Sequence, residues 1–197
     1  MKDSKLSDHL SEYSLILGSQ SPRRKELFAG LHIPFKVEVR ETGENYPKVM
    51  NPLEVPEFLS VLKSAPFMPD LRQDDLLITA DTIVLIDDQV LGKPLDYEHA
   101  FEMLRLLSGK KHVVITGVCL TSADKQTTFS DHTDVWFKNL SDDEIDYYLT
   151  HFRPFDKAGS YGVQEWIGYV AIERIEGSYF NVMGLPIQRL YEELLRF

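Results

Sequence analysis

The chain has 197 residues, of which 43% are hydrophobic and 26% charged, a composition typical of a globular protein of one domain, with or without two lobes. Its net charge of −10 argues against a protein that binds duplex nucleic acid, which needs a basic surface. The single cysteine, Cys119, excludes an internal disulfide, and neither a secretion signal nor an apolar run of the ~20 residues that span a membrane is present. We therefore expect a cytoplasmic protein with neither nucleic acid nor membrane as a partner.

Two regions are predicted along the chain. Residues 1–14 are polar and are expected to form a flexible N-terminus. Residues 15–197 contain neither an internal repeat nor a low-complexity linker, so we expect them to form a single domain.

The first structured unit, residues 15–28 (LILGSQSPRRKELF), has the pattern of a strand, a small polar loop and a helix start. Ser21 is placed to cap the helix and Pro22 to be its first residue. Free N–H groups and the positive end of the helix dipole make such a loop a natural anion site. Arg23 and Arg24 lie in the first turn, where acids are preferred. A bound anion would resolve this conflict; the alternative is a solvated basic pair.

The next segment predicts a half-buried strand over 35–39, a loop over 40–52 that contains Glu44, and a helix that starts near Pro56. The helix is expected to bury Phe58, Leu59 and Leu62 and to carry Lys63 near its end.

A second buried strand is predicted over 76–80, followed by Asp81 and Thr82 and then by the apolar run 83–86. A carboxylate between two apolar segments must be paired, bound to a metal or shifted in pKa. This makes Asp81 the best general-base candidate; the alternative is a structural turn aspartate. Gly92, Lys93 and Pro94 predict a tight turn that presents the lysine.

The second half of the chain predicts a helix capped by Asp96 and ended by Gly109, a β-hairpin over 112–138, and a helix with the capping box Ser141–Glu144. A glycine-containing loop follows at 157–164 (KAGSYGVQ), where Gln164 offers both a donor and an acceptor. A strand near 170–172 and an amphipathic helix from Ile187 complete the pattern.

The notable charged residues therefore fall at strand ends or in loops, where α/β proteins bind ligands. Cations at such positions would neutralise a polyphosphate, and the carboxylates would hold a divalent metal and activate water. The chain has no GxxxxGK[ST], GxGxxG, HExxH or CxxC motif. The residues alone predict an α/β protein with a site for a phosphate ligand.

Six blocks in the same order extend this interpretation: GSQSPRR, ITADTIV (78–84), GKP (92–94), TGV (116–118), KAGSYGVQ and GSYFNVMGLP (177–186). Together they resemble the Maf family of nucleotide pyrophosphatases. The resemblance implies an α/β fold like that of inosine triphosphate pyrophosphatases, with a mixed, twisted sheet, flanking helices and two lobes around a central cleft. It also implies that residues 15–197 form one Maf-like domain.

The resemblance assigns roles residue by residue. The family's catalytic aspartate falls on Asp81, and the acidic residue of its substrate-binding loop falls on Glu44. Its other substrate-binding residues fall on Ser19, Arg24, Lys63 and Lys93. A divalent cation, Mg²⁺ or Mn²⁺, is the implied cofactor; its ligands are not assigned, and Asp81 and Glu44 are the candidates. The implied partners are nucleoside triphosphates, and relatives often form homodimers.

Three further positions separate the branches of the family, and here they read Arg23, Thr82 and Gln164. This combination resembles the branch that hydrolyses dTTP and UTP, with modified pyrimidine nucleotides as further substrates, to the monophosphate and pyrophosphate. The expected roles are house-cleaning of nucleotides, arrest of cell division, or both. Two alternatives stay open: a non-catalytic nucleotide-sensing module that acts on cell-division machinery, and the branch that acts on 7-methyl-GTP.

Overall fold

The computed structural model describes residues 5–197, and residues 1–4 of the predicted flexible N-terminus lie outside the described residues. The helices are α1 Lys5–His9, α2 Pro22–Ala29, α3 Val55–Ser64, α4 Tyr97–Leu107, α5 Asp142–Phe152, α6 Trp166–Val170, α7 Tyr179–Val182 and α8 Ile187–Arg196. The strands are β1 Ser14–Leu17, β2 Lys36–Val37, β3 Asp75–Ile86, β4 Gln89–Leu91, β5 Lys111–Thr121, β6 Gln126–Phe137 and β7 Ile172–Glu176.

Within the described residues, the strands form one sheet in the order β2-β1-β3-β5-β6-β7, and β4 pairs with β3. β1 is parallel to both β2 and β3, whereas β4 is antiparallel to β3 and β7 is antiparallel to β6. The sheet is therefore mixed and is flanked by helices, which confirms the predicted fold class. No helix over 5–197 is long and apolar enough to cross a membrane.

The described residues fall into two compact units. The first comprises 5–81, 116–131 and 184–197, and its core contains Leu17, Phe28, Ile78 and Leu190, all fully buried. α1 packs Leu6 into the same core, so Lys5–His9 of the predicted flexible segment are helical and packed.

The second unit comprises 82–115 and 132–183, and the inner faces of α4 and α5 supply much of its core. The predicted caps of these helices are confirmed. The Asp96 side chain accepts from the His99 N–H at 2.8 Å, and Ser141 and Glu144 form the reciprocal capping box. Val170 lies at the end of α6 and not in a strand, because the strand pairing with β6 begins only at Ile172.

The strand predicted to end at Ala80 continues to Ile86, which places Asp81 in the middle of β3. The strand continues through Asp81, and Ala80 before it and Ile83 and Val84 beyond it are buried in the sheet. The chain turns only at Asp87 and Asp88, whose φ angles of 48° and 62° suit a two-residue hairpin turn. The alternative of a turn aspartate at position 81 is therefore wrong.

Two further predictions are corrected. Phe58 is 36% exposed, whereas α3 buries Val55 and Leu59 together with small residues. The inner face includes serines, and a prediction based on apolar residues does not identify serines as buried. The strand predicted over 35–39 is reduced to Lys36–Val37, because the described pairing with β1 covers only these two residues.

Candidate active site

The loop between β1 and α2 is held close to β3. A Cβ on Gly18 would lie only 2.9 Å from Thr79 Cγ2, so glycine permits this approach. Ser19 is buried, and its hydroxyl accepts from the Ser21 N–H at 3.2 Å. Ser21 caps α2 as predicted, accepting from the Arg24 N–H at 3.4 Å. The loop therefore presents a buried serine at a capped helix start.

Arg24 joins this loop to the strand that carries the predicted general base. Its Nη1 donates to the carbonyl of Ala80 at 2.8 Å, and its Nε donates to the carbonyl of Gly184 at 2.7 Å. Burial lowers the pKa of the Arg24 guanidinium, the negative charges of Asp81 and Glu44 raise it, and neighbouring Arg23 lowers it. The N-terminal strand–helix unit and the strand that carries Asp81 thus meet in the fold.

Asp81 lies in an ion-paired cluster. It is 7% exposed, and its Oδ1 contacts the ammonium of Lys63 at the end of α3. The same ammonium lies 3.0 Å from Glu44 Oε1 in the loop before α3. One lysine therefore bridges two carboxylates that are 37 positions apart in the chain, as their residue numbers give.

The position of Lys63 depends on how α3 docks on the sheet. The Thr79 hydroxyl donates to the Ser60 carbonyl at 2.7 Å in a fully buried contact. A Cβ on Gly117 in β5 would lie 2.2 Å from the Pro56 carbonyl carbon, so the helix backbone rests directly on that glycine. Sequence reasoning missed both contacts, although the ITADTIV and TGV blocks contain these residues.

The carboxylates Asp81 and Glu44 suit a divalent cation that arrives with a phosphate ligand. Over residues 5–197, no group of three or more His, Cys, Asp or Glu side chains is arranged to hold a metal. Mg²⁺ is commonly bound through one or two carboxylates together with substrate phosphates and water. The donor set fits that mode and not an all-protein cage.

The remaining predicted site residues belong to the second unit. Thr82 follows Asp81 in β3, and Lys93 is exposed in the segment between β4 and α4. Gln164 ends the KAGSYGVQ loop, and its Oε1 is buried without a hydrogen-bond partner in the described part of the chain. Such an atom needs a donor, because an unsatisfied buried carbonyl oxygen costs about 1–3 kcal/mol.

The GSYFNVMGLP block has a structural role that sequence reasoning did not assign. Ser178 caps α7, and the Asn181 amide donates to the Val114 carbonyl and the Thr133 hydroxyl, both at 3.0 Å. Gly184, at φ +108°, supplies a carbonyl to which Arg24 donates.

The fold and the site define an α/β protein in which a buried aspartate, Asp81, is ion-paired through Lys63 with the exposed Glu44, beside an arginine-bearing loop that suits anions. A family model described as Maf-like protein matches residues 14–197, and the chain belongs to this family.

Two relatives have nearly the same length as the chain. One, from Porphyromonas gingivalis and named dTTP/UTP pyrophosphatase, is 51% identical over 96% of this chain and 97% of its own. Another of that name, from Bacteroides fragilis, is 53% identical over 94% of this chain and 97% of its own. A solved structure of the Staphylococcus aureus Ham1 protein is similar at a TM-score of 0.49 and 14% identity, over 91% of this chain and 99% of that one.

Proposed function

We propose that the protein is a nucleotide pyrophosphatase that hydrolyses dTTP and UTP between the α- and β-phosphates. Relatives that share about half of its residues over almost the whole chain carry this activity in their names. The products are the nucleoside monophosphate and pyrophosphate. Residues 15–197 act as one catalytic domain in the cytoplasm.

The observation that carries the mechanism is the buried Asp81 carboxylate, paired with Lys63 and through it with Glu44. Asp81 accepts a proton from the attacking water, whose oxygen forms a bond to the α-phosphorus. The bond between the α-phosphorus and the bridging oxygen breaks, and pyrophosphate leaves. The proton passes from Asp81 to solvent.

The cationic residues bind the triphosphate. Arg24 and Lys63 lie beside Asp81, and the triphosphate competes with the carboxylates for their charge. Ser19 and Lys93 complete the predicted phosphate-binding set. These positive groups stabilise the charge that develops on the leaving pyrophosphate.

Asp81 and Glu44 would hold the divalent cation, Mg²⁺ or Mn²⁺, that accompanies the triphosphate. When bound, such an ion lowers the pKa of a coordinated water and neutralises phosphate charge. The arrangement of two carboxylates beside a cation-lined loop supports this assignment.

Base selection is assigned to Gln164, with Arg23 and Thr82 as further specificity residues. The buried Gln164 Oε1 needs a donor, and uracil and thymine present an N3–H donor. Cytosine presents an unprotonated N3 at this position, so two acceptors would face each other. We therefore expect UTP and dTTP to be preferred over CTP, and we expect purine nucleotides, whose bases are larger, to be the poorest substrates.

The test is hydrolysis of UTP by the purified protein with Mg²⁺ in water labelled with heavy oxygen. We expect UMP and pyrophosphate as products, with the label in UMP, because water attacks the α-phosphorus. Formation of UDP and orthophosphate would contradict the proposal, and nucleotide binding without turnover would favour a sensing module. A preference for 7-methyl-GTP over UTP would place the protein in the other branch.

A further inference from the structure

We propose that Tyr148, Glu165 and Lys157 form a positioning network that holds Gln164 in the geometry needed to select a pyrimidine base. The inference rests on the proposed function, since it assigns the residues that orient the base-recognising amide. All three lie in the second compact unit, as does Gln164.

The centre of the network is the hydroxyl of Tyr148, a fully buried residue of α5. This hydroxyl accepts from the Gly162 N–H at 3.0 Å and donates to Glu165 Oε2. Burial, together with the bond to the Glu165 carboxylate, raises the pKa of Tyr148, so the phenol keeps its proton and remains a donor. One hydroxyl thus binds the chain on both sides of Gln164.

Lys157 fixes the other oxygen of the same carboxylate. Its Nζ lies 3.1 Å from Glu165 Oε1 and 2.7 Å from Asp156 Oδ1, and its side chain is only 9% exposed. An ammonium so deeply buried would be costly without such partners. Apolar residues of similar volume often stabilise a fold as well as a buried ion pair does. Stability alone therefore does not explain why these polar residues are placed here.

The loop backbone is shaped to admit this carboxylate. A Cβ on Gly162 would lie 2.8 Å from Glu165 Cδ, so any side chain at position 162 would displace Glu165. The Glu165 N–H also donates to the Gly162 carbonyl at 3.0 Å, which closes a tight turn around residues 163 and 164. The direction in which Gln164 leaves the backbone is therefore set by the two residues that Tyr148 binds.

Selection between bases depends on that direction. Gln164 Oε1 is buried and without a partner in the described residues, so a small rotation of the turn would move it away from an N3–H donor. Phosphate binding is assigned to other residues. Loss of the network should therefore reduce discrimination between bases more than it reduces the chemical step.

The test compares Tyr148→Phe with Tyr147→Phe. The first removes the central hydroxyl but keeps the ring that stacks on Phe152 and Trp166. The second makes the same chemical change one residue away, at a side chain that is 44% exposed and outside the network. For Tyr148→Phe we expect the ratio of kcat/KM for UTP to that for CTP to fall about tenfold, the effect of losing the hydrogen bond between Gln164 and the base. The change should lie mainly in KM, and Tyr147→Phe should keep the wild-type ratio.

Two more measurements keep the proposal testable. Amide hydrogen exchange in residues 162–165 should accelerate in Tyr148→Phe, and Glu165→Gln, which keeps an acceptor for Tyr148, should lose less discrimination. An unchanged ratio, or an equal loss for UTP and CTP, would overturn the proposal. If the wild type does not hydrolyse UTP, the proposed function fails, and the relative affinities for UTP and CTP, measured by calorimetry, then make the same comparison.

Discussion

Replacing Gly117 with alanine tests how closely the site depends on the docking of α3. The added Cβ would lie 2.2 Å from the Pro56 carbonyl carbon, 2.3 Å from Glu57 N and 2.4 Å from the Pro56 oxygen. All three are backbone atoms, so no side-chain rotation relieves the contact. To restore ordinary van der Waals contact from 3.4 Å upward, the start of α3 must move by about 1 Å relative to β5.

This displacement has two expected effects. Insertion of a methyl group into a close-packed contact typically destabilises a protein by about 1–3 kcal/mol. Lys63 lies at the other end of the same helix and bridges Asp81 and Glu44, so the movement also displaces the cluster that is assigned to catalysis. A misplacement of ~1 Å can cost ~100-fold in rate. We expect the substitution to lower both the free energy of unfolding and kcat for UTP.

Chemical denaturation and steady-state hydrolysis of UTP measure the two effects separately. Gly92→Ala is a matched control for stability, because no atom beyond the two neighbouring residues lies within 4 Å of a Cβ at that position. Its free energy of unfolding should stay within about 0.5 kcal/mol of the wild type or rise. A Gly117→Ala protein with wild-type stability and wild-type turnover would show that the contact between β5 and α3 does not position Lys63.

Four other substitutions test separate parts of the site and the fold. Asp81→Asn should lower kcat by ~100-fold or more while UTP binding, measured by calorimetry, persists; unchanged turnover would move the base elsewhere. Gln164→Glu should lower kcat/KM for UTP by about tenfold or more relative to GTP, because a carboxylate cannot donate to the uracil carbonyl but can accept from both the N1–H and the 2-amino group of guanine; an unchanged ratio would remove this residue from base selection. Arg24→Lys should lower the free energy of unfolding by about 1–3 kcal/mol, since one ammonium cannot reproduce the fork that binds two carbonyls; wild-type stability in denaturation would contradict this. Burial lowers the pKa of His112 from 6.5 to about 3. As the pH falls between these two values, the unfolded chain binds a proton that the folded chain does not bind, so the free energy of unfolding decreases. Denaturation at about pH 7 and about pH 4.5 measures how much unfolding free energy each protein loses on acidification, and this loss should be about 2–3 kcal/mol smaller in His112→Asn than in the wild type. An equal loss in the two proteins would assign the acid sensitivity to carboxylates.

Local chemistry made much of the fold predictable. Ser21, Asp96 and the Ser141–Glu144 box were identified from sequence because a cap needs only a hydrogen-bond acceptor a few residues from a free N–H. The buried faces of α4 and α8 follow from apolar periodicity in the same way. The motif blocks then indicated the family, because each block is a run of consecutive residues that can be recognised without knowledge of the fold.

The incorrect assignments concern residues whose positions depend on contacts between distant parts of the chain. The interpretation of Asp81 as the end of a strand failed because extended pairing on both sides keeps the residue in the middle of β3. Phe58 was assigned to the wrong face of α3 because the helix packs its backbone on a glycine of β5, a contact that involves no apolar side chain.

The sequence by itself therefore determined the caps, most of the helices, the family and the residue types of the site. Only the tertiary structure decided that Arg24 binds the Ala80 carbonyl and that Lys63 bridges Glu44 and Asp81. The physical reason is that capping and periodicity act within a few residues of the chain. The geometry of the site instead comes from the docking of a helix, a loop and a strand that are far apart in sequence, and close packing at Gly18 and Gly117 sets that docking.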